Sequence, residues 1–293
     1  MKVAVRCPAK VNLHLEVLRR RADGYHELRT VFAAVGVWDE LVFEGTSDGV
    51  LALAVEPPEA VAAGEDNLVL RAARALAGHL GVSDGARIRL GKRIPVAGGL
   101  GGGSSDAAAT LVGLASLWGV RPSGEMAELA ARLGADVPYF LTAGVAWGTG
   151  RGTDLTPLPD LPPWWLVLIP GEEAVPTAAV YGSLDPPTLD AGGSPEIYRW
   201  VADGGALPLG SCRNDLQPTV LAHWPGVGRR LESMRVTQPL LALVSGSGGT
   251  VFGLFADEEG ARHAAGRVGS AAAVVAPLLT REASLLRASV VEG

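Results

Sequence analysis

Apolar and polar residues alternate at the start of the chain. Val3 and Val5 form one run and Val11, Leu13 and Leu15 another, with a break at Pro8, so the pattern predicts a strand, a kink and a second strand. Residues 28–44 predict one or two strands around a turn at Trp38-Asp39-Glu40, and residues 50–55 another. Gly64-Glu65-Asp66-Asn67 reads as the cap of a helix over 68–80 that stops at Gly81, and 87–90 alternates as a strand. From Ala107 onward Ala108, Leu111, Val112, Ala115, Leu117 and Trp118 recur at helical spacing, with Ser104, Ser105 and Asp106 in the positions of cap and first turn. Ser123 would cap a second helix ending at Gly134. Residues 144–152 predict a strand running into a turn. The proline-rich stretch 153–163 is the best linker, and 164–169 reads as a buried strand opening the second half. Beyond it, 184–209 reads as loop, Arg213-Asn214-Asp215-Leu216 as a helix cap, 240–244 as an apolar run, Asp257 onward as a helix and 272–275 as a strand. Periodicity alone therefore indicates mixed α and β.

Between the 87–90 strand and the helix after it lies Pro95-Val96-Ala97-Gly98-Gly99-Leu100-Gly101-Gly102-Gly103-Ser104-Ser105. So many glycines are costly to order, which implies that another backbone or a ligand comes very close. A helix start opening from a loop without side chains presents free N–H groups and the positive end of its dipole, an arrangement that holds an anion such as phosphate. A Walker loop would end in Gly-Lys-Ser/Thr, and here Gly103 precedes Ser104. A dinucleotide fingerprint would place glycine where Ser104 stands.

Composition narrows the class. Over 293 residues the chain is 48% hydrophobic and 19% charged, which suits a globular protein of one large or two modest domains. Its formal charge of −6 gives no general attraction to nucleic acid or to an acidic membrane, so an anionic ligand must be held locally. No secretory signal or membrane-length apolar run is present, and a cytoplasmic location is expected. Cys7 and Cys212 do not make a C-x-x-C, and the five histidines contain no His-x-x-x-His pair.

Pro95, Gly99, Leu100, Gly101, Ser104, Ser105, Ala107 and Ala108 resemble the Pro-x-x-x-Gly-Leu-Gly-x-x-Ser-Ser-x-Ala-Ala signature of the GHMP kinases. Pro8-Ala9-Lys10-Val11-Asn12-Leu13 and Arg21-x-Asp23-Gly24-Tyr25-His26 are similar to the branch of that family whose acceptor is a cytidylyl-diphosphate sugar alcohol. Gly134-Ala135-Asp136-Val137-Pro138 and Ser245–Phe252 are similar to two further family segments. The fold this implies is a two-domain α+β GHMP kinase: a ribosomal protein S5 domain 2-like N-terminal domain over 1–156 and a ferredoxin-like C-terminal domain over 157–293. The activity it implies is transfer of the ATP γ-phosphoryl group to a substrate hydroxyl with Mg²⁺, by a monomer or weak homodimer.

On the same resemblance Asp136 would be the base. Lys10 would stand beside it and offset charge on the moving phosphoryl, and Asn12 would orient the pair. Residues 95–105, named above, would hold ATP together with Asn67 and Lys92. Tyr25 and Tyr181 would sandwich the cytosine, His26 would bond its edge and Thr177 a polar group. For each an ordinary role stays open from the residues alone: a solvent-facing strand lysine, a hairpin tyrosine, a helix-flanking aspartate, a core aromatic. Ser104 or Ser105 could meet phosphate or metal, whereas no dedicated metal carboxylate is evident and Asp106 could be a helix cap. Another GHMP acceptor, of mevalonate or homoserine type, and a non-catalytic nucleotide-binding homologue are the alternative functions.

Overall fold

The computed structural model describes residues 1–120, 124–171, 173–184 and 193–291; the cap expected at Ser123 lies outside them. Two long strands, β1 (Lys2–Arg20) and β2 (His26–Thr46), pair antiparallel over almost their whole length. The break expected at Pro8 is a register shift inside one strand, and Trp38-Asp39-Glu40 is strand and not turn, because the opposite strand supplies partners across both positions. The shift has a large effect on the faces. Before it, Val5 and Cys7 face the helical side of the sheet; after it, Ala9, Val11 and Leu13 face the opposite side. Since strand side chains alternate, Lys10 and Asn12 are turned toward the helical side.

Around this pair stand β3 (Leu51–Glu56), β4 (Gly85–Gly91), β5 (Val145–Gly150), β6 (Asp154–Pro157) and β11 (Ala288–Val291). The order is β11-β1-β2-β4-β3, with β5 also on β2 and β6 on β5; only β3 and β4 are parallel. One face is covered by α1 (Leu68–Leu80), α2 (Gly102–Leu117), α3 (Glu125–Leu133) and α4 (Val137–Thr142), which bury Leu76, Leu111, Leu114, Tyr139 and Phe140 against Leu41 and Phe43. α1 is bounded as its sequence predicts: the Asn67 side chain accepts from the Val69 N–H, and Gly81 closes the helix in the left-handed region.

The second sheet is antiparallel: β7 (Trp165–Ile169), β8 (Leu241–Val244), β9 (Val251–Phe255) and β10 (Val274–Pro277) in the order β10-β7-β9-β8. Its inner face, through Leu166, Leu168, Phe252 and Leu254, packs on Ala9, Val11, Leu13, Val31 and Val35 of the first sheet. Its outer face carries α8 (Pro225–Arg235) and α9 (Glu258–Arg267). Helices, sheet, sheet, helices: the molecule has four layers, and the two sheets meet on a shared apolar core.

Three expectations change. The linker region 153–163 contains β6, which is held by pairing with β5. The segment read as loop contains α6 (Pro195–Asp203), whose Ile197 and Trp200 are buried. α2 begins at Gly102, before Ser104. Short helices α5 (Thr177–Gly182), α7 (Gln217–His223) and α10 (Arg281–Ser284) complete the described α-helices, and Leu209–Ser211 forms a 3-10 turn. Among the described residues no helix is long and apolar enough to cross a membrane.

Candidate active site

A cleft of about 1920 Å³ is lined by Lys92 and residues 95–104 together with groups from β1, β2, α5 and the 246–247 turn. The glycine-rich loop forms one wall. α2 starts from Gly101, at φ 71°, and no side chain caps it, so its first N–H groups are left to a ligand. Gly99 shows why glycine is required here. Its φ is +73°, and a Cβ would lie 2.0 Å from the carbonyl oxygen of Ser245. The β8–β9 turn clamps the loop from behind: the Ser245 hydroxyl donates to the Gly99 carbonyl at 3.0 Å, and the Thr250 amide to the Gly98 carbonyl at 3.2 Å.

The paired serines are not equivalent. Ser105 is fully buried and its hydroxyl donates to the Pro8 carbonyl at 2.6 Å, which fastens α2 to β1. Ser104 lines the cleft. Asp106 is no helix cap: it is buried and accepts from Lys92 Nζ at 2.8 Å. The ammonium of Lys92 is therefore turned away from open solvent, into a pair of carboxylates.

Across the loop, Lys10 Nζ donates to Asn12 Oδ1 at 2.9 Å and lies 3.3 Å from Asp136 Oδ2. The Lys10 side chain is 4% exposed, whereas that of Asp136 is 32% exposed, so the cation is fixed and the carboxylate opens to the cleft. Asn12 Nδ2 donates to Thr30 Oγ1 at 2.7 Å, and Thr30 in turn donates to the His14 carbonyl. This chain leaves Asn12 one orientation. Gly246 keeps the space open, since a Cβ there would lie 3.2 Å from Asn12 Oδ1 and 3.4 Å from Lys10 Nζ.

At the other end of the cleft the His26 and Tyr181 rings stack at 5.1 Å and 27°. Burial, with Asp136 nearby, pushes the Tyr181 phenol up; burial, with Arg20 nearby, draws His26 below the usual imidazole value. Tyr25 is half exposed and carries the Arg151 guanidinium 3.9 Å above its ring centre. The two tyrosines thus have different partners, and Arg151 joins this end unannounced by the sequence reading. Its place between two glycines of the 144–152 stretch was the available signal. Thr177 and Ser247 share a hydrogen bond at 2.8 Å, linking α5 to the β8–β9 turn. Asn67 lines the cleft, but its side chain is occupied in capping α1 and in donating to the Ala62 carbonyl at 2.7 Å.

The family model described as GHMP kinases N terminal domain matches residues 67–144, and that described as GHMP kinases C terminal matches 205–274. A Parvibaculum lavamentivorans protein named 4-diphosphocytidyl-2-C-methyl-D-erythritol kinase is 42% identical over 88% of this chain and 90% of its own length. A crystal structure of 4-(cytidine 5'-diphospho)-2C-methyl-D-erythritol kinase superposes with a TM-score of 0.79 at 37% identity, covering 94% of this chain and 98% of that one. Homoserine kinase from Cytophaga hutchinsonii shares the fold, with a TM-score of 0.74 at 18% identity over 98% of this chain and 97% of its own.

Proposed function

The chain belongs to the GHMP kinases, in the branch of the 4-diphosphocytidyl-2-C-methyl-D-erythritol kinases, and is an ATP-dependent small-molecule kinase; we propose that it phosphorylates the 2-hydroxyl of 4-diphosphocytidyl-2-C-methyl-D-erythritol, giving the 2-phosphate and ADP in isoprenoid-precursor synthesis. The observation that carries this reading is the Lys10, Asn12 and Asp136 constellation on the same cleft as the glycine loop.

Phosphoryl transfer passes through a loose transition state, so the protein's task is to align the hydroxyl with the γ-phosphorus and to neutralise charge on the equatorial oxygens. Asp136 accepts the hydroxyl proton. Lys10, anchored by Asn12 and withdrawn from solvent, places a positive charge where the phosphoryl group passes, and the low exposure strengthens that charge. The amides at the start of α2 and in residues 98–101 hold the phosphates. Tyr25, His26 and Tyr181 receive the cytosine, and Thr177 a polar group of the acceptor. Among the described residues no group of three His, Cys, Asp or Glu side chains is set to hold a metal ion. Ser104, on the cleft wall at the start of α2, would be the protein donor to Mg²⁺, which when bound would neutralise charge on the β- and γ-phosphates.

The test is ATP consumption with Mg²⁺ and each of four acceptors: the cytidylyl compound, mevalonate, homoserine and galactose. Turnover with the first alone supports the proposal. Turnover with another alcohol replaces the acceptor assignment and leaves Asp136 and the loop in their roles, and silence with all four overturns the reaction.

A further inference from the structure

Beneath the glycine loop lies a buried cluster that the mechanism above does not use. Asp39 on β2 is inaccessible to solvent. Its Oδ1 accepts the backbone N–H groups of Arg93 at 2.5 Å and Ile94 at 2.8 Å, where the chain leaves β4 for the loop. Its Oδ2 pairs with Lys92 Nζ. Asp106, at the other end of the loop on the second turn of α2, accepts from the same Nζ through Oδ2 at 2.8 Å, and its Oδ1 accepts from the Cys7 thiol of β1 at 3.6 Å. One ammonium thus ties the entrance of the loop to its exit. The tie is interlocked with the loop itself: a Cβ on Gly102 would lie 2.8 Å from Lys92 Nζ and 3.1 Å from Ile94 Cγ2.

A buried ion pair seldom stabilises a fold more than apolar side chains of similar volume would, and here two carboxylates share one cation. What the arrangement does achieve is position, for it sets where the loop begins and where α2 begins. We infer that Asp39 and Asp106 are positioning residues for the nucleotide phosphates, gripping Lys92 between them so that the loop amides converge on one anion. This rests on the kinase reading above.

In the variant Asp39→Asn an amide N–H₂ must face either the Lys92 ammonium or the amides of Arg93 and Ile94, so one end of the loop is released. Binding of a non-hydrolysable ATP analogue to the full chain is measured by calorimetry without acceptor, so that an error in the acceptor assignment cannot affect it. Kinetics with the acceptor that turns over then supply KM and kcat. For Asp39→Asn the analogue Kd and the KM for ATP rise at least tenfold, while kcat at saturating ATP and the acceptor KM stay within twofold. Asp106→Ala weakens the analogue similarly, and Asp106→Asn, which keeps an oxygen for Lys92, binds at least fivefold tighter than Asp106→Ala. An unchanged analogue Kd overturns the inference, as does a loss spread equally over kcat and both KM values. Should Asp39→Asn fail to fold, the Asp106 pair decides: equal weakening by Ala and Asn, or none by either, refutes a positioning role.

Discussion

Glu16 allows a stability prediction with a magnitude. It lies on β1 with no solvent exposure, and its carboxylate meets groups from both halves of the chain: Tyr198 Oη donates to Oε2, Arg213 Nη2 lies 3.0 Å from Oε1, and His14 Nε2 lies 3.3 Å from Oε1. Burial by itself would raise this carboxyl, but the adjacent His14 ring and the Tyr198 hydroxyl outweigh it and bring it from 4.5 to about 2. A carboxyl depressed on folding contributes stability that is present above its unfolded value and lost as pH falls through the folded one. The window here runs from about 4.5 down to about 2. The contribution is about 3 kcal/mol at pH 7 and falls to less than half of that at pH 3. Urea unfolding of the native chain and of Glu16→Gln, at pH 7 and at pH 3, gives the two differences. The variant is expected to be less stable at pH 7 by about 3 kcal/mol, and the gap should narrow by about 2 kcal/mol at pH 3. A gap that does not change with pH would refute the reasoning, since it would show that Glu16 binds no fewer protons in the folded state than in the unfolded one.

Other outcomes follow from the cleft. Asp136→Ala should lower kcat by about 10²–10⁴-fold while ATP affinity stays within twofold; unimpaired turnover would remove Asp136 as the base. Tyr181→Ala should raise KM for the cytidylyl substrate by the equivalent of about 1–3 kcal/mol and leave KM for ATP unaltered, and equal losses on both substrates would show a packing role. In Gly99→Ala the new Cβ would meet the Ser245 carbonyl at a position whose φ is already +73°. Thermal unfolding should register a loss of more than about 1 kcal/mol, and calorimetry a loss of ATP binding.

Much of the site is written locally. The glycine run, its place before a helix and the short motifs around Lys10, Tyr25 and Asp136 mark the family, because a loop that cradles phosphate needs those residue types in consecutive positions. Cap chemistry is equally local, which is why Asn67 and Gly81 bound α1 as read. Where the reading changed, a distant partner was responsible. Pro8 ends no strand because β2 runs past it, and Asp39 makes no turn because the amides of Arg93 and Ile94 approach it from 54 and 55 residues away. Ser105 and Asp106 look like a helix cap in one dimension, yet Pro8 and Lys92 draw them inward.

Residue types and their spacing set out the chemistry available: a side-chain-free anion cradle, a lysine, a carboxylate, and aromatics near a turn. Their geometry came from the fold. It took a register shift between β1 and β2 to turn Lys10 and Asn12 toward the helical side, a second sheet to clamp Gly99, and a buried lysine between two carboxyl groups to join the two ends of the loop. Local propensity depends on neighbours a few residues away, whereas a buried charge must find its partner wherever the fold brings one, and that cannot be read from spacing along the chain.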